Sequence, residues 1–171
     1  MLYDYLNDRY GRECLRQARE CRASLGFGAV LVKDGEIIGR GRNRRSTPEE
    51  RRLLSHVDYG IHAEQGCVID ALRGAGCIND GKIVDTAVLR GSEIYVLGIV
   101  LQGESKERLT TKEERVFICK KCPPSVLIPY DVPVNIPHIQ GWVRLTPQEA
   151  METAERLCGK GYWRKFAKKN N

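Results

Sequence analysis

Four residues do most to restrict what this chain can become. His62 and Glu64 stand two positions apart in Ile61-His62-Ala63-Glu64-Gln65, and beyond 54 intervening residues they are answered by Cys119-Lys120-Lys121-Cys122. One imidazole and two thiolates suffice to hold a zinc ion with its fourth position open, the arrangement of catalytic rather than structural zinc. Any fold that uses this set must bring distant parts of the chain to one point. Lys120 and Lys121 favour thiolate over thiol beside them. Each half alone says little: H-A-E recurs by chance, and a bare C-x-x-C also fits a redox pair. Glu64, a carboxylate near the metal but not bound to it, is the expected catalytic group.

A chain of 171 residues, 42% hydrophobic, is expected to form a single domain spanning 1–171 with one sizeable core. The segment opening at Met1 lacks the basic-then-apolar layout of a secretory signal, and no apolar run approaches the ~20 residues of a membrane span. A cytoplasmic protein with no membrane partner is therefore expected. Seven cysteines in no disulfide-like framework suit a reducing compartment. A net charge of +6 points to anionic partners, either phosphorylated small molecules or nucleic acid.

Leu6, Tyr10, Cys14 and Ala18 recur at steps of four, with Tyr3 and Cys21 near the same face, and predict an opening amphipathic helix. Cys14 and Cys21 read as small core residues. Gly28 to Lys33, Asp34-Gly35, and Glu36 to Arg40 predict a β-hairpin, because Asp-Gly supplies a positive-φ turn. The arginine-dense stretch from Arg40 to Arg52 reads as a loop broken at Ser46-Thr47-Pro48. A helix from about Ile61 to Arg73 follows, stopped by Gly74-Ala75-Gly76. Glu93 to Leu101 predicts a buried strand, 103–115 an inserted charged loop, and Val132 to Ile136 an edge strand that tolerates proline. Thr146-Pro147-Gln148-Glu149 is a helix start, with the helix ending near Cys158-Gly159. The tail at 160–171 is basic and aromatic. This order implies a three-layer α/β/α sandwich around a mixed β-sheet.

With these elements in place, the chain over roughly residues 27–125 resembles the zinc-dependent cytidine and deoxycytidylate deaminase superfamily, which includes deaminases of bases within nucleic acids. The resemblance rests on the Gly28-Ala-Val-Leu-Val hairpin, Gly41-Arg42-Asn43, His62-Ala63-Glu64, the following strand, and Cys119-x-x-Cys122. It implies a cytidine deaminase-like fold and a zinc ion held by His62, Cys119 and Cys122. It implies Glu64 as proton carrier, with zinc-acidified water displacing ammonia from a ring carbon. It also implies a substrate contact from Asn43, with Ala63 and Arg44 beside it, and a homo-oligomer. Ile118 stands where relatives usually carry proline, and Pro123-Pro124 follow the second cysteine directly.

Arg40, Arg42, Arg44, Arg45, Arg51 and Arg52 crowd around Asn43, and arginine's fork matches phosphate oxygens. A solvated basic loop is the competing reading. The main expectation is a small-molecule deaminase that converts a cytosine nucleotide or nucleoside to its uracil product. The alternative is a deaminase of a base in tRNA or single-stranded DNA, or of another small aminated base. A non-catalytic zinc module stands third, and Glu64 argues against it.

Overall fold

The computed structural model describes residues 4–22, 25–53, 60–102, 106–110, 131–138 and 140–150. In chain order the elements are α1 (Arg9–Arg19), β1 (Leu25–Lys33), β2 (Glu36–Arg42), β3 (Arg44–Arg45), α2 (Pro48–Leu53), β4 (Gly60–Ile61) and α3 (Ala63–Gly74). They continue with β5 (Ile78–Asn79), β6 (Lys82–Ile83), a 3-10 turn at Ala87–Leu89, β7 (Ser92–Gln102), β8 (Lys106–Thr110), β9 (Val134–His138) and β10 (Gly141–Leu145).

The main sheet runs β10-β9-β7-β1-β2, with β8 pairing beside β9 along the far half of β7. β1 lies antiparallel to both β2 and β7, whereas β9 joins β7 in parallel through Ile94↔Val134 and Tyr95↔Asn135. The sheet is therefore mixed. Alternation along β1 explains the layering: Ala29 and Leu31 face α3, whereas Val30 and Val32 face α1. In β7, Ile94 and Val96 join the α3 side and Leu97 and Ile99 the α1 side. Two apolar faces with a helix on each give the expected three-layer α/β/α fold.

The predicted hairpin forms with Asp34 (φ 50°) and Gly35 (φ 79°) as its two turn residues, between the pair Lys33↔Glu36. Both positive angles belong to the turn whose twist matches the strands. The stop after α3 is equally local: Gly76 (φ 70°) donates to Arg73 O at 3.1 Å and Cys77 N to Leu72 O at 2.8 Å.

Four expectations change. Leu6 is not on the buried face of the opening helix: α1 begins after the Asp8 cap and Leu6 is half exposed, whereas Cys14 and Ala18 are buried as expected, joined by Tyr5 and Leu15. The loop expected at Ser46-Thr47-Pro48 is the start of α2, because Thr47 caps it and Pro48 takes the first helical position. Within the stretch read as an inserted loop, Lys106–Thr110 is a strand on β7. The proline-bearing strand is also not an edge, since β9 lies between β7 and the unanticipated β10. Pro137 is tolerated there because pairing to β7 is recorded only as far as Asn135.

The final predicted helix opens as expected, with Thr146 Oγ1 accepting from Glu149 N (3.1 Å) and Glu149 Oε2 accepting from Thr146 N (2.8 Å). Its later course, the tail at 160–171, Tyr3, and the rest of the 103–115 stretch lie outside the described residues. Among the described residues, no helix is long and apolar enough to cross a membrane.

Candidate active site

The position of α3 is set by what β2 lacks. A Cβ placed on Gly41 would overlap Ala63 O and Cys67 N, and one on Gly39 would overlap Cys67 O. Both glycines point to the α3 side, so helix backbone lies directly on strand backbone. On the opposite face Gly26 and Gly28 of β1 do the same for α1, against Ala18 O and Cys14 O. Close approach of this kind needs residues with no side chain. It fixes the first turn of α3 against the end of β2, where Asn43 follows.

His62 is the N-cap of α3, with extended backbone (φ −81°, ψ 158°), and Gln65 Oε1 accepts from His62 N at 2.9 Å. The predicted helix is thus present but starts two residues later than expected, at Ala63. That shift has a chemical consequence. Two residues at i and i+2 inside a helix face different ways, but a cap residue stands outside the helical spiral, so this objection to pairing His62 with Glu64 falls away. Glu64 lies in the first helical turn and is only 3% exposed, while Ala63 is fully buried and His62 half-buried. The partial positive charge at a helix N-terminus favours a carboxylate there.

The approach to His62 is held by a small brace. β3 pairs with β4 through Arg44↔Ile61 and Arg45↔Gly60, so the residues after Asn43 lie beside those before His62. Arg44 is locked in turn by the buried Glu50: Nη1 donates to Oε2 at 2.8 Å and Nη2 to Oε1 at 2.5 Å. Glu50 Oε2 also accepts from Thr47 N at 2.8 Å. These donors, the Arg44 guanidinium above all, lower the Glu50 carboxyl from the usual 4.5 to about 2. A folded-state pKa below the unfolded one stabilises the fold above about pH 4.5 and loses that contribution as pH falls toward 2. Replacing Glu50 with glutamine is expected to cost about 1–2 kcal/mol at neutral pH. The variant should also lose less stability between pH 5 and 3 than the native chain. Thermal melting across that range checks both effects.

The other arginines near Asn43 are also accounted for. Arg40 and Arg42 lie on the face of β2 opposite Gly39 and Gly41, where Arg40 Nε meets Glu13 Oε1 (3.1 Å) and Arg42 Nη1 meets Glu20 Oε2 (2.5 Å). Arg51 donates to Ser46 O at 2.9 Å. Arg45 and Arg52 are exposed.

Asn43 closes the hairpin's last rung. Its backbone N donates to Phe27 O (3.3 Å), and its side-chain Oδ1 accepts from Phe27 N (2.6 Å) and from the Cys21 thiol (2.9 Å). The side chain thus does the work of its own carbonyl, freeing the backbone to turn into β3. Cys14 and Cys67 are fully buried, and burial pushes both thiols well up, with the Glu64 charge adding at Cys67. With Cys77 also buried, these cysteines are packing residues, the reading already given to Cys14.

Of the predicted site residues, Asn43, Arg44, His62, Ala63 and Glu64 are gathered at one end of the sheet, by the β3–β4 pairing and the contact of Gly41 with Ala63. Cys119 and Cys122 lie outside the described residues, as do Ile118, Lys120 and Lys121. Among the described residues no three potential ligands cluster, and His62 is the one member of the expected zinc set that falls within them. An imidazole at the cap of α3, with a buried glutamate in the turn that follows, is the type of donor and carboxylate such a centre uses. Sequence reasoning missed Glu50, Gln65 and the Gly39-x-Gly41 pair.

A mixed sheet with α1 on one face and α3 on the other, and an H-x-E step at the N-terminus of α3, is consistent with the cytidine deaminase-like fold. The chain is 41% identical over 49 residues to the tRNA-specific adenosine deaminase of Streptococcus pyogenes serotype M18 (strain MGAS8232), covering 28% of this chain and 30% of that enzyme. Its counterpart from serotype M3 (strain ATCC BAA-595 / MGAS315) matches at 41% over 49 residues, covering 28% of each. The chain therefore aligns with under a third of these relatives' length. No protein-family model and no solved structure matches it. In fold, motif order and this partial match the chain is similar to members of the cytidine/deoxycytidylate deaminase superfamily.

Proposed function

We propose that this chain is a zinc-dependent hydrolytic deaminase acting on an amino-bearing base within a nucleic acid, with tRNA as the first substrate to test. The observation that carries the proposal is a buried Glu64 in the first turn of α3, immediately after the cap His62, in a chain similar over 49 residues to tRNA-specific adenosine deaminases. His62, Cys119 and Cys122 would hold the zinc, which when bound acidifies water so that a nucleophile exists at neutral pH. Glu64 takes a proton from the attacking water and gives it to the ring nitrogen beside the attacked carbon; it then takes the proton of the newly added hydroxyl and gives it to the departing amine as the carbonyl forms. Water and the amino base become the carbonyl base and ammonia. Burial beside the helix N-terminus holds this carboxylate in place for both transfers.

The free cytosine nucleotide or nucleoside expected from the sequence has less support. The similar enzymes are named for tRNA; Arg40, Arg42 and Arg44, ion-paired to Glu13, Glu20 and Glu50, do not discriminate between a free nucleotide and a nucleic acid. An ammonia-release assay over bulk tRNA, a single-stranded DNA oligonucleotide, dCMP, CMP, cytidine and cytosine separates the readings. Turnover of tRNA, with inosine formed and binding that weakens steeply with salt, is expected. Turnover confined to dCMP or cytidine would return the smaller substrate.

A further inference from the structure

We propose that Gln65 is a positioning residue for the candidate metal centre: its side chain holds the main chain of His62, so that the imidazole and Glu64 stand in one fixed relation. This deepens the zinc-deaminase reading and rests on it. A helix N-cap is ordinarily Ser, Thr, Asp or Asn, whose side chain satisfies main-chain donors of the first turn. At α3 that position is taken by a candidate ligand, His62, and capping involves the third residue of the helix. Gln65 Oε1 accepts from His62 N at 2.9 Å, closing a capping box. On its other side, His62 O accepts from Gly66 N at 2.9 Å. Both main-chain polar groups of His62 are thereby held, and χ1 and χ2 alone remain to aim the imidazole. The residue before it is held as well, since Ile61 pairs with Arg44 and clusters with Ile69 of α3. The loop closed by the Gln65–His62 bond contains Ala63 and Glu64, so the bond that fixes the ligand also fixes the turn that carries the carboxylate. Gln65 is 5% exposed, and a buried amide costs stability unless its polar atoms are bonded. Glutamate is the other usual residue at this place in a capping box. Glutamine does the same work without a second negative charge, and Glu64 stays the one acidic residue of the first turn.

The test uses the full chain. Zinc affinity is read by competition with a chromogenic chelator, stability by melting of the chelator-stripped chain, and activity by inosine formation from bulk tRNA. Gln65→Leu keeps the volume and removes the acceptor. It should weaken zinc binding by about 10- to 100-fold, the loss usual when a group that orients a metal ligand is removed. At saturating zinc its kcat should fall about tenfold with KM within about twofold, because the reacting groups and not substrate binding are disturbed. Gln65→Asn, one methylene short of His62 N, should show the same loss with polarity retained, and it decides the matter if Gln65→Leu fails to fold. Gln65→Glu restores an acceptor and should bind zinc within about threefold of the native chain. Thr146→Ala breaks the equivalent cap after β10, where Thr146 Oγ1 accepts from Glu149 N, and should lower melting while zinc affinity stays native. Native zinc affinity in both Gln65→Leu and Gln65→Asn, no recovery in Gln65→Glu, or an equal loss in Thr146→Ala overturns the proposal. If the native chain deaminates only cytidine or dCMP, kcat and KM are read on that substrate. A native chain that binds zinc but deaminates nothing on the panel ends the deaminase reading, and zinc affinity then decides the role of Gln65 alone. A native chain that binds no zinc ends both.

Discussion

Glu64→Ala should reduce ammonia release from the best substrate to background while the chain keeps its fold and its metal. The carboxylate is buried in the first turn of α3, a turn placed by Gln65 accepting from His62 N and by the seating of α3 on Gly39 and Gly41 of β2. Two proton transfers depend on it, and losing a positioned general acid–base costs about 10²–10⁴-fold for one such role. Glu64 serves both, so the larger figure is the one to expect. Turnover equal to the native chain would remove Glu64 from the mechanism. Loss of zinc together with turnover would mean that it is a ligand instead.

Cys119→Ala is expected to remove metal and activity together. A three-donor site has nothing to substitute for a missing thiolate. Bound zinc is soft enough that thiolate-to-methyl replacement forfeits both a ligand and a compensating charge. The contrast with Cys67→Ala is informative, because Cys67 is buried against Glu64 O and Gly41 and should affect stability alone. Two cysteine variants with opposite outcomes separate ligand from packing residue.

The parts of this molecule that could be read from sequence are those decided by neighbours a few residues away. Asp34-Gly35 specifies its turn whatever surrounds it, Gly76 accepts the left-handed angle that ends α3, and Thr146 to Glu149 carries both halves of its cap. Thr47-Pro48-Glu49-Glu50 has that same pattern and was read as a loop, because the arginines around it suggested solvent. The pattern was the better guide. Its glutamate was buried by an ion pair with Arg44, which only the paired β3 and β4 make visible.

Other features needed the third dimension. Nothing local shows that Gly39 and Gly41 carry a helix, since a glycine in a strand equally marks a bulge or a flexible end. Strand β10 was missed because Gly141–Leu145 alternates weakly and gains its order from pairing with β9. The reverse case is Asn43. The sequence motif suggested a substrate contact, and the structure shows the side-chain oxygen accepting from Phe27 N and the Cys21 thiol, a structural role the motif did not disclose. His62 and Glu64 stand out in the sequence because their spacing carries chemistry, and the structure adds that His62 is the cap of α3 with Glu64 in its first turn.

The most direct measurement is elemental analysis of the purified full chain, native and Cys119→Ala, with no metal added during purification. The account predicts about one zinc per native chain and close to none in the variant. Full zinc in Cys119→Ala, or a metal-free native chain that still releases ammonia, would contradict it.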